Sequence, residues 1–199
     1  MTPLSPRFQA VIDDIDAANA QDPRQDSVAG TLRPREVVYS ERMSECLALL
    51  YPEASEALRI AARAQHICRW QIPRQNYRLG REGYNAWRSA CRDHHGALTS
   101  AIMRRHGYAE NEIAQAAKII RKEQLKRDPE SQALENVVAV VFVQHYLDEF
   151  VADHKDYDDA KLADILKKTL RKMDPTGHAA VLALPLPAGT VRIIDIALK

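Results

Sequence analysis

Residues 128–143 have the sequence Asp-Pro-Glu-Ser-Gln-Ala-Leu-Glu-Asn-Val-Val-Ala-Val-Val-Phe-Val, and this stretch decides the fold class. An Asp in the cap position followed by Pro in the first helical position is a typical helix start. The run Val137–Val143 is the longest apolar stretch, and at about seven residues it is far shorter than the roughly 18–20 residues that cross a bilayer. The stretch therefore predicts a helix buried in a globular core, running to about His154.

Helical periodicity extends outward from this stretch in both directions. Apolar residues recur at spacings of three and four along most of the chain, which is typical of amphipathic helices. About seven helices are predicted, at residues 6–19, 34–50, 54–70, 81–106, 111–125, 128–154 and 158–173. Residues 21–32 and 71–81 are predicted to be loops, and a short helix is expected in the proline-containing tail after residue 174. The expected fold is an all-α bundle.

Length and composition indicate one globular domain. The chain has 199 residues, of which 46% are hydrophobic and 28% are charged. Within this single domain, 1–199, we expect acidic N-terminal helices over 1–53, a helical core over 54–173 and an extension over 174–199. Three widely spaced cysteines and the lack of a secretory pattern favour a reducing compartment, so a cytoplasmic location is expected.

Charge is strongly segregated along the chain. The segment Ala57–Arg127 carries 15 Lys and Arg against 5 Asp and Glu, a net charge of +10. The segment before it carries a net −5 and the segment after it a net −4, so the whole chain has a formal charge of only +1. Basic residues gathered in one segment usually face an anion. A phosphorylated or nucleotide-like small molecule is the expected partner, nucleic acid is an alternative, and no membrane partner is expected.

His66 is the first candidate for a site residue. Within the predicted helix 54–70, Arg63 and Arg69 lie three residues to either side of it and fall close to one face. Two guanidinium groups lower the pKa of a neighbouring imidazole and keep it neutral, and a neutral imidazole is what a metal ligand or general base requires. The alternative is a partly buried histidine that bonds a backbone carbonyl.

His95 and Glu135 are the other candidates for catalysis. The pair His94-His95 lies in the middle of a predicted helix, where one imidazole must lean inward, either toward a site or simply to pack against Trp87. Glu135 borders the apolar face of its helix and could act as an acid, a base or a ligand, or could point outward to solvent.

Several basic residues are candidates for binding phosphate, because guanidinium and ammonium groups pair well with it. The set comprises Arg63, Arg69, Arg74, Arg81, Arg88, Lys122 and Lys126. For those near the end of the helix at 111–125, a solvated face favoured by the helix dipole is the alternative interpretation.

A set of motifs between about residues 56 and 186 resembles an uncharacterised microbial and fungal family that is known only as a domain of unknown function. The matching pieces are Arg63-x-Gln65-His66-x-x-Arg69-Trp70-x-Ile72-Pro73-Arg74, Gly83-Tyr84-x-x-Trp87-Arg88, Lys122-x-x-Leu125-x-x-Asp128 and Gln132-x-Leu134-Glu135. This resemblance implies no activity.

A fainter resemblance links His66-Ile67-x-Arg69 to the HD-domain metal-dependent phosphohydrolases, which are all-helical. It implies that His66 and His95 are ligands of a divalent metal. The sequence departs from that family at both aspartates, since Gly96 follows His95 and Asn136 occupies the place of the final aspartate. Two imidazoles and an amide make a weak metal site. A metal-free site that binds phosphate through Arg63, Arg69, Lys122 and His66 fits the charge pattern better.

Three functions therefore remain open from the sequence. The first is an HD-like phosphohydrolase or phosphate-ligand enzyme with a degenerate metal site, in which His66, His95 and Glu135 are catalytic. The second is a helical protein that binds an anion, nucleotide or RNA without catalysis. The third is a structural protein whose basic helices pair with its own acidic ends.

Overall fold

The computed structural model describes residues 5–198, and these residues are overwhelmingly helical. Ten α-helices cover Pro6–Asn19 (α1), Arg35–Leu50 (α2), Glu56–Arg63 (α3), Gly80–Arg105 (α4), Glu110–Arg121 (α5), Pro129–His145 (α6), Leu147–Asp153 (α7), Asp159–Leu170 (α8), Pro175–Leu182 (α9) and Ala188–Leu198 (α10). Short 3₁₀ helices cover Arg69–Gln71 and Arg74–Asn76, and a hairpin covers Gln25–Val28 (β1) and Thr31–Pro34 (β2). The predicted all-α class is confirmed, with more helices than expected. No helix within residues 5–198 is long and apolar enough to span a membrane.

The chain forms two compact units, which divide between Glu123 and Gln124. In the first unit α3 packs against α1, α2 and α5, and α5 also packs along α4. In the second unit α6 packs against α7 and α9, and α8 packs against α10. The core of the first unit includes the fully buried Ile15, Met43 and Ile60, and Leu134 and Leu166 are the corresponding core residues of the second.

The hairpin corrects the prediction of a loop over residues 21–32. Strands β1 and β2 pair antiparallel, with Val28 opposite Thr31. The two residues between them, Ala29 and Gly30, have φ angles of 50° and 81°, and a positive φ at both central positions is the signature of the tight type I′ turn. The strands are short and mostly polar, so they lack the alternation of apolar residues that would have predicted them.

Helix α3 is shorter than predicted, and this changes the surroundings of His66. The helix begins after Ser55, whose side chain accepts a hydrogen bond from the Leu58 amide, and it ends at Arg63 rather than at residue 70. Cys68 adopts a left-handed conformation with a φ of 51°, and its amide donates to the buried Asn19 Oδ1 at 3.1 Å. His66 therefore lies in a turn, and Arg63 does not share a helix face with it.

The helix predicted over residues 128–154 is two helices, α6 and α7. The Asp128 side chain accepts a hydrogen bond from the Ser131 amide at 2.8 Å, which confirms the predicted helix start. The break falls at Tyr146, where φ is −129° and ψ is −8°. Helix α5 also ends earlier than predicted, because Lys122 has a φ of 56° and cannot continue the helix.

Candidate functional site

The first unit brings His66 and His95 together. His66 lies in the turn after α3 and His95 lies on α4, and the centroids of the two rings are 5.9 Å apart. His95 is 1% exposed, so it is the histidine of the His94-His95 pair that turns inward. The His66 side chain is 20% exposed, so one edge of the pair reaches solvent.

Both ring nitrogens of His66 have partners within the protein. Its Nε2 is in very close contact with Arg69 Nη1, and its Nδ1 is 3.4 Å from Glu36 Oε2. A guanidinium group only donates hydrogen bonds, so Nε2 must be the acceptor and Nδ1 carries the proton that points to Glu36. The ring also stacks on Tyr39, with centroids 3.9 Å apart and an angle of 11° between the planes. His66 is thus held in one tautomer and one orientation.

Glu36 connects this histidine to a second ion pair. It is 3% exposed, and its Oε1 accepts a hydrogen bond from Arg24 Nη2 at 2.6 Å. The buried Asp22 accepts from the same guanidinium and from the Glu36 backbone amide. Burial raises the pKa of Glu36, and the positive charges of Arg69 and Arg24 oppose that rise.

Sequence reasoning missed Asp22, Arg24, Glu36 and Tyr39. These residues lie in the acidic N-terminal segment and at the start of α2, in positions where charged side chains usually face solvent. No motif marks them, because Glu36 and Tyr39 contact His66 only across about 30 positions of the chain, and Asp22 and Arg24 join the site through Glu36.

His95 is buried without hydrogen-bond partners for its ring. Neither Nδ1 nor Nε2 makes a well-aligned hydrogen bond within the described residues, although the Gln65 backbone lies near enough to favour the protonated form. Burial, followed by the proximity of His66 and Arg69, holds the pKa of His95 well below 6.5. Buried polar groups almost always have a partner, since leaving one without costs about 1–3 kcal/mol. Within the described residues, His95 is thus one of the few buried polar side chains without such a hydrogen bond.

Four cations lie near enough to His66 to influence its protonation, and we call these residues, Arg24, Arg69, Arg88 and Lys122, the basic rim. Burial lowers the pKa of His66 well below 6.5, and the charges of these four residues lower it further, with that of Arg69 the strongest. The Arg69 guanidinium lies over the Trp87 ring, 4.8 Å from its centroid, and Trp87 Nε1 donates to the Ile72 carbonyl at 2.8 Å. Trp87 and His66 together fix the position of Arg69.

Three of the predicted phosphate-binding residues, Arg69, Arg88 and Lys122, belong to the basic rim. Arg63 does not, because Asp16 accepts from its Nε at 2.7 Å and from its Nη2 at 2.6 Å. Arg63 was expected to bind phosphate beside His66. The structure instead pairs it with Asp16 of α1, because α3 ends at Arg63 and His66 lies in the following turn. Arg74 donates to the Tyr77 carbonyl at 3.0 Å, and Arg81 is exposed in the first turn of α4.

Two other predicted site residues, Glu135 and Lys126, lie in the second unit. Glu135 is 5% exposed, with Oε1 at 3.9 Å from Lys172 Nζ, so it does not point outward to solvent. Lys126 Nζ donates to the Arg171 carbonyl at 2.7 Å at the end of α8. Asn136, which the HD resemblance places at the final metal ligand, donates from Nδ2 to Asp174 Oδ1 at 2.8 Å and so joins α6 to the start of α9.

Comparison with known proteins gives a family without a known activity. A family model matches residues 9–194, which is almost the entire chain. The chain belongs to the family described as Domain of unknown function (DUF4202). The predicted membership of an uncharacterised domain family is thereby confirmed. No curated protein and no solved structure matches the chain. The similarity of this DUF4202 chain to HD-domain phosphohydrolases stays a prediction.

The residues of the site do not fit a divalent metal. Among the described residues, no three His, Cys, Asp or Glu side chains are grouped so that they could hold one. His66 directs its accepting nitrogen at Arg69, and a guanidinium in that place excludes a cation. At Gly96, where HD proteins have an aspartate, a Cβ would lie only 3.3 Å from Arg121 Nε. Arg121 thus occupies the space into which a longer side chain at position 96 would extend.

Proposed function

We propose that the first unit binds a phosphorylated small molecule at the basic rim, without a metal ion. The observation that carries this proposal is the buried His95 ring, whose nitrogens make no well-aligned hydrogen bond to any residue of 5–198 and whose centroid lies 5.9 Å from that of His66. A phosphate oxygen, or a water molecule held by one, would supply the missing partner. A polar site that is rich in cations and poor in acids is suited to an anion.

The balance of charge around the pair supports an anion rather than a cation. The two buried carboxylates, Asp22 and Glu36, both pair with Arg24. Within the described residues, Arg69 and Arg88 have no carboxylate within ion-pair distance. Arg69 contacts His66 and the Trp87 ring, and Arg88 Nη1 is 3.4 Å from the Tyr84 hydroxyl. A phosphate dianion would give both guanidinium groups their strongest type of partner.

Titration with inorganic phosphate and ribose 5-phosphate in the presence of EDTA tests this proposal. Arg69→Gln and Arg88→Gln should each weaken binding by about 10-fold to 100-fold, the effect of losing a charge-assisted hydrogen bond. Arg104→Gln is the matched control, because it removes the same charge from the far end of α4 and should leave affinity unchanged. Equal affinity in all four proteins, or binding that requires a metal, would refute the proposal.

Metal-independent hydrolysis of a phosphate ester is the second candidate. It is favoured by two imidazoles, both kept neutral by burial and neighbouring charge, with ring centroids 5.9 Å apart. The neutral imidazole of His95 would accept a proton from an attacking water, and the cations of the basic rim would stabilise the charge that develops on phosphate.

Release of phosphate from a panel of phosphomonoesters in EDTA tests the second candidate. The expected result is a slow activity that disappears in His95→Gln but survives in His94→Gln. Binding of the esters without any turnover would eliminate hydrolysis and leave the binding proposal intact.

A further inference from the structure

One face of α4 connects the buried histidine pair to the protein surface. Residues at spacings of three, four and seven lie on the same face of a helix. Arg81, Tyr84, Arg88 and His95 follow this spacing, so they form a single stripe along about 14 residues, or about 21 Å of helix. The inner end of the stripe is the buried His95, and the outer end is the exposed Arg81.

The stripe carries an aromatic surface next to its cations. Tyr84 is 43% exposed, although it is a large aromatic residue. Its ring lies 5.8 Å from that of Trp87, and the Arg88 guanidinium lies 5.8 Å from the Tyr84 centroid. Arg69, which covers Trp87, extends this arrangement toward His66. An exposed ring flanked by guanidinium groups is the typical surface on which a nucleobase stacks.

No carboxylate interrupts the stripe. Among residues 81–92 the only acidic residue is Glu82, which is turned by about 100° from Arg81 around the helix axis. An anionic ligand that extends along this face from Arg88 to Arg81 therefore meets positive charge and an aromatic ring, but no repulsion from an acidic side chain on α4.

We infer that the ligand is a nucleoside phosphate, with its base stacked on Tyr84 and its phosphate held by Arg88 and Arg69. This inference rests on the proposed phosphate site and specifies the rest of the ligand. Tyr84 and Arg88 are one helical turn apart, about 6 Å along the axis, and a ribose spans a comparable distance between its base and its phosphate. A sugar phosphate without a base would make no stacking contact with the exposed Tyr84 ring.

A nucleoside phosphate can be either a free nucleotide or the terminal nucleotide of a nucleic-acid strand, and we call these the two sources of the ligand. Arg81 lies one turn before Tyr84, on the side away from Arg88. In a strand, the phosphate that follows the stacked nucleoside would meet Arg81, whereas a free mononucleotide would not reach it. The two sources therefore differ in how much they depend on Arg81.

The first test compares AMP with ribose 5-phosphate by calorimetric titration of the whole protein. A stacked base should make AMP at least about fivefold tighter. Tyr84→Ala should remove that difference, so that AMP binds no more tightly than ribose 5-phosphate does, and Tyr84→Phe should keep it. Because Tyr84 is largely exposed, both variants should fold, and a thermal melt confirms this.

The outcomes separate this inference from the proposed function. If AMP and ribose 5-phosphate bind equally and Tyr84→Ala changes neither, the nucleoside assignment is wrong and the phosphate site stands. If neither compound binds, both proposals fail. If poly-glutamate competes as well as AMP does, the stripe recognises acidic peptides and the assignment is wrong.

The second test uses a 5′-phosphorylated dinucleotide and Arg81→Gln. If the source is a strand, the dinucleotide should bind at least about threefold tighter than AMP, and Arg81→Gln should remove that gain. If the source is a free nucleotide, the dinucleotide should bind no better than AMP, and Arg81→Gln should change neither affinity. Weaker binding of AMP itself in Arg81→Gln would contradict the placement of the phosphate at Arg88.

Discussion

Two regions of the first unit use basic residues in opposite ways. Along α1 two acidic residues pair with cations, since Asp16 binds Arg63 and Asp14 lies 2.9 Å from Arg105. Around His66 the cations outnumber the carboxylates, and Arg69 and Arg88 contact aromatic rings and an imidazole. The net charge of +10 over Ala57–Arg127 is therefore the sum of a structural part and a part that is open to a ligand.

This difference explains why charge counting alone could not locate the site. The structural interpretation of the basic segment agrees with the ion pairs on α1, and the anion-binding interpretation agrees with the basic rim. The two interpretations concern different arginines of the same unit, because burial and pairing differ from one arginine to the next. Arg63 is 12% exposed and bound by two carboxylate oxygens, whereas Arg69 has no carboxylate partner within the described residues.

The largest effect is expected from Glu36→Gln, which removes a buried carboxylate from the region around His66. Glu36 is buried between Arg24 and His66, so its neutralisation leaves the partly buried Arg24 paired with Asp22 alone and removes the negative charge beside His66 Nδ1. Breaking a fully buried pair costs about 3–5 kcal/mol, and because Arg24 is 45% exposed we expect a loss of about 2–3 kcal/mol. Urea unfolding monitored by circular dichroism measures it.

Glu41→Gln on the same helix is the matched control for Glu36→Gln. Glu41 pairs with Arg33 at 2.7 Å, but both side chains are about one third exposed. Exposed pairs contribute about 0–1 kcal/mol, so this variant should be nearly as stable as the wild type. Equal losses in the two variants would show that the buried position of Glu36 has no special role.

The next largest effect separates Arg63 from Arg69. Arg63→Gln removes two hydrogen bonds to Asp16 and should lower the free energy of unfolding by about 1–3 kcal/mol while leaving phosphate affinity unchanged. Arg69→Gln should weaken phosphate binding at least about 10-fold and should change the free energy of unfolding less than Arg63→Gln does. Unfolding and phosphate titration of both variants test this, and a loss of affinity in Arg63→Gln would remove the distinction between the two regions.

The sequence predicted those features that depend on neighbouring residues. The start of α6 follows from Asp128 and Pro129, and the inward position of one residue of the pair His94-His95 follows from helical periodicity. The turn that follows α3 contains instead a hydrogen bond between Asn19 and Cys68, which are 49 positions apart. The role of Glu36 could not be predicted either, because its contact with His66 joins residues that are far apart in the sequence.

A third prediction concerns pH and the two buried imidazoles. The pKa values of His66 and His95 are held well below 6.5, so the folded protein binds fewer protons than the unfolded chain once the pH falls below about 6.5. Their contribution to stability is present above that pH and is lost as the pH falls toward the lowered pKa values. The raised pKa of Glu36 has the opposite effect on stability, because the folded protein then binds this proton more readily than the unfolded chain does. That contribution to stability is present at lower pH and is lost as the pH rises.

His95→Gln should therefore flatten the dependence of stability on pH. Each imidazole contributes a slope of at most about 1.4 kcal/mol per pH unit below pH 6.5. Urea unfolding of the wild type and of His95→Gln between pH 5 and pH 8 measures the difference in slope. Identical slopes would show that His95 takes up a proton as readily in the folded protein as in the unfolded chain, which would contradict the lowered pKa of this imidazole.

The smallest effect is expected from Asp14→Asn, at the most exposed pair of α1. Hydrogen bonds from Arg105 and His106 lower the pKa of Asp14 below 3.8, so its contribution is present at neutral pH and is lost as the pH falls below about 4. The side chains of Asp14 and Arg105 are 37% and 63% exposed, so the substitution should cost less than about 1 kcal/mol and less still in 1 M salt. Asp16→Asn should cost more at both salt concentrations, because Arg63 is shielded from solvent. If Asp14 contributed as much as Asp16, exposure would not be what distinguishes the two pairs, and the division of the basic segment into structural and ligand-binding cations would need a different cause.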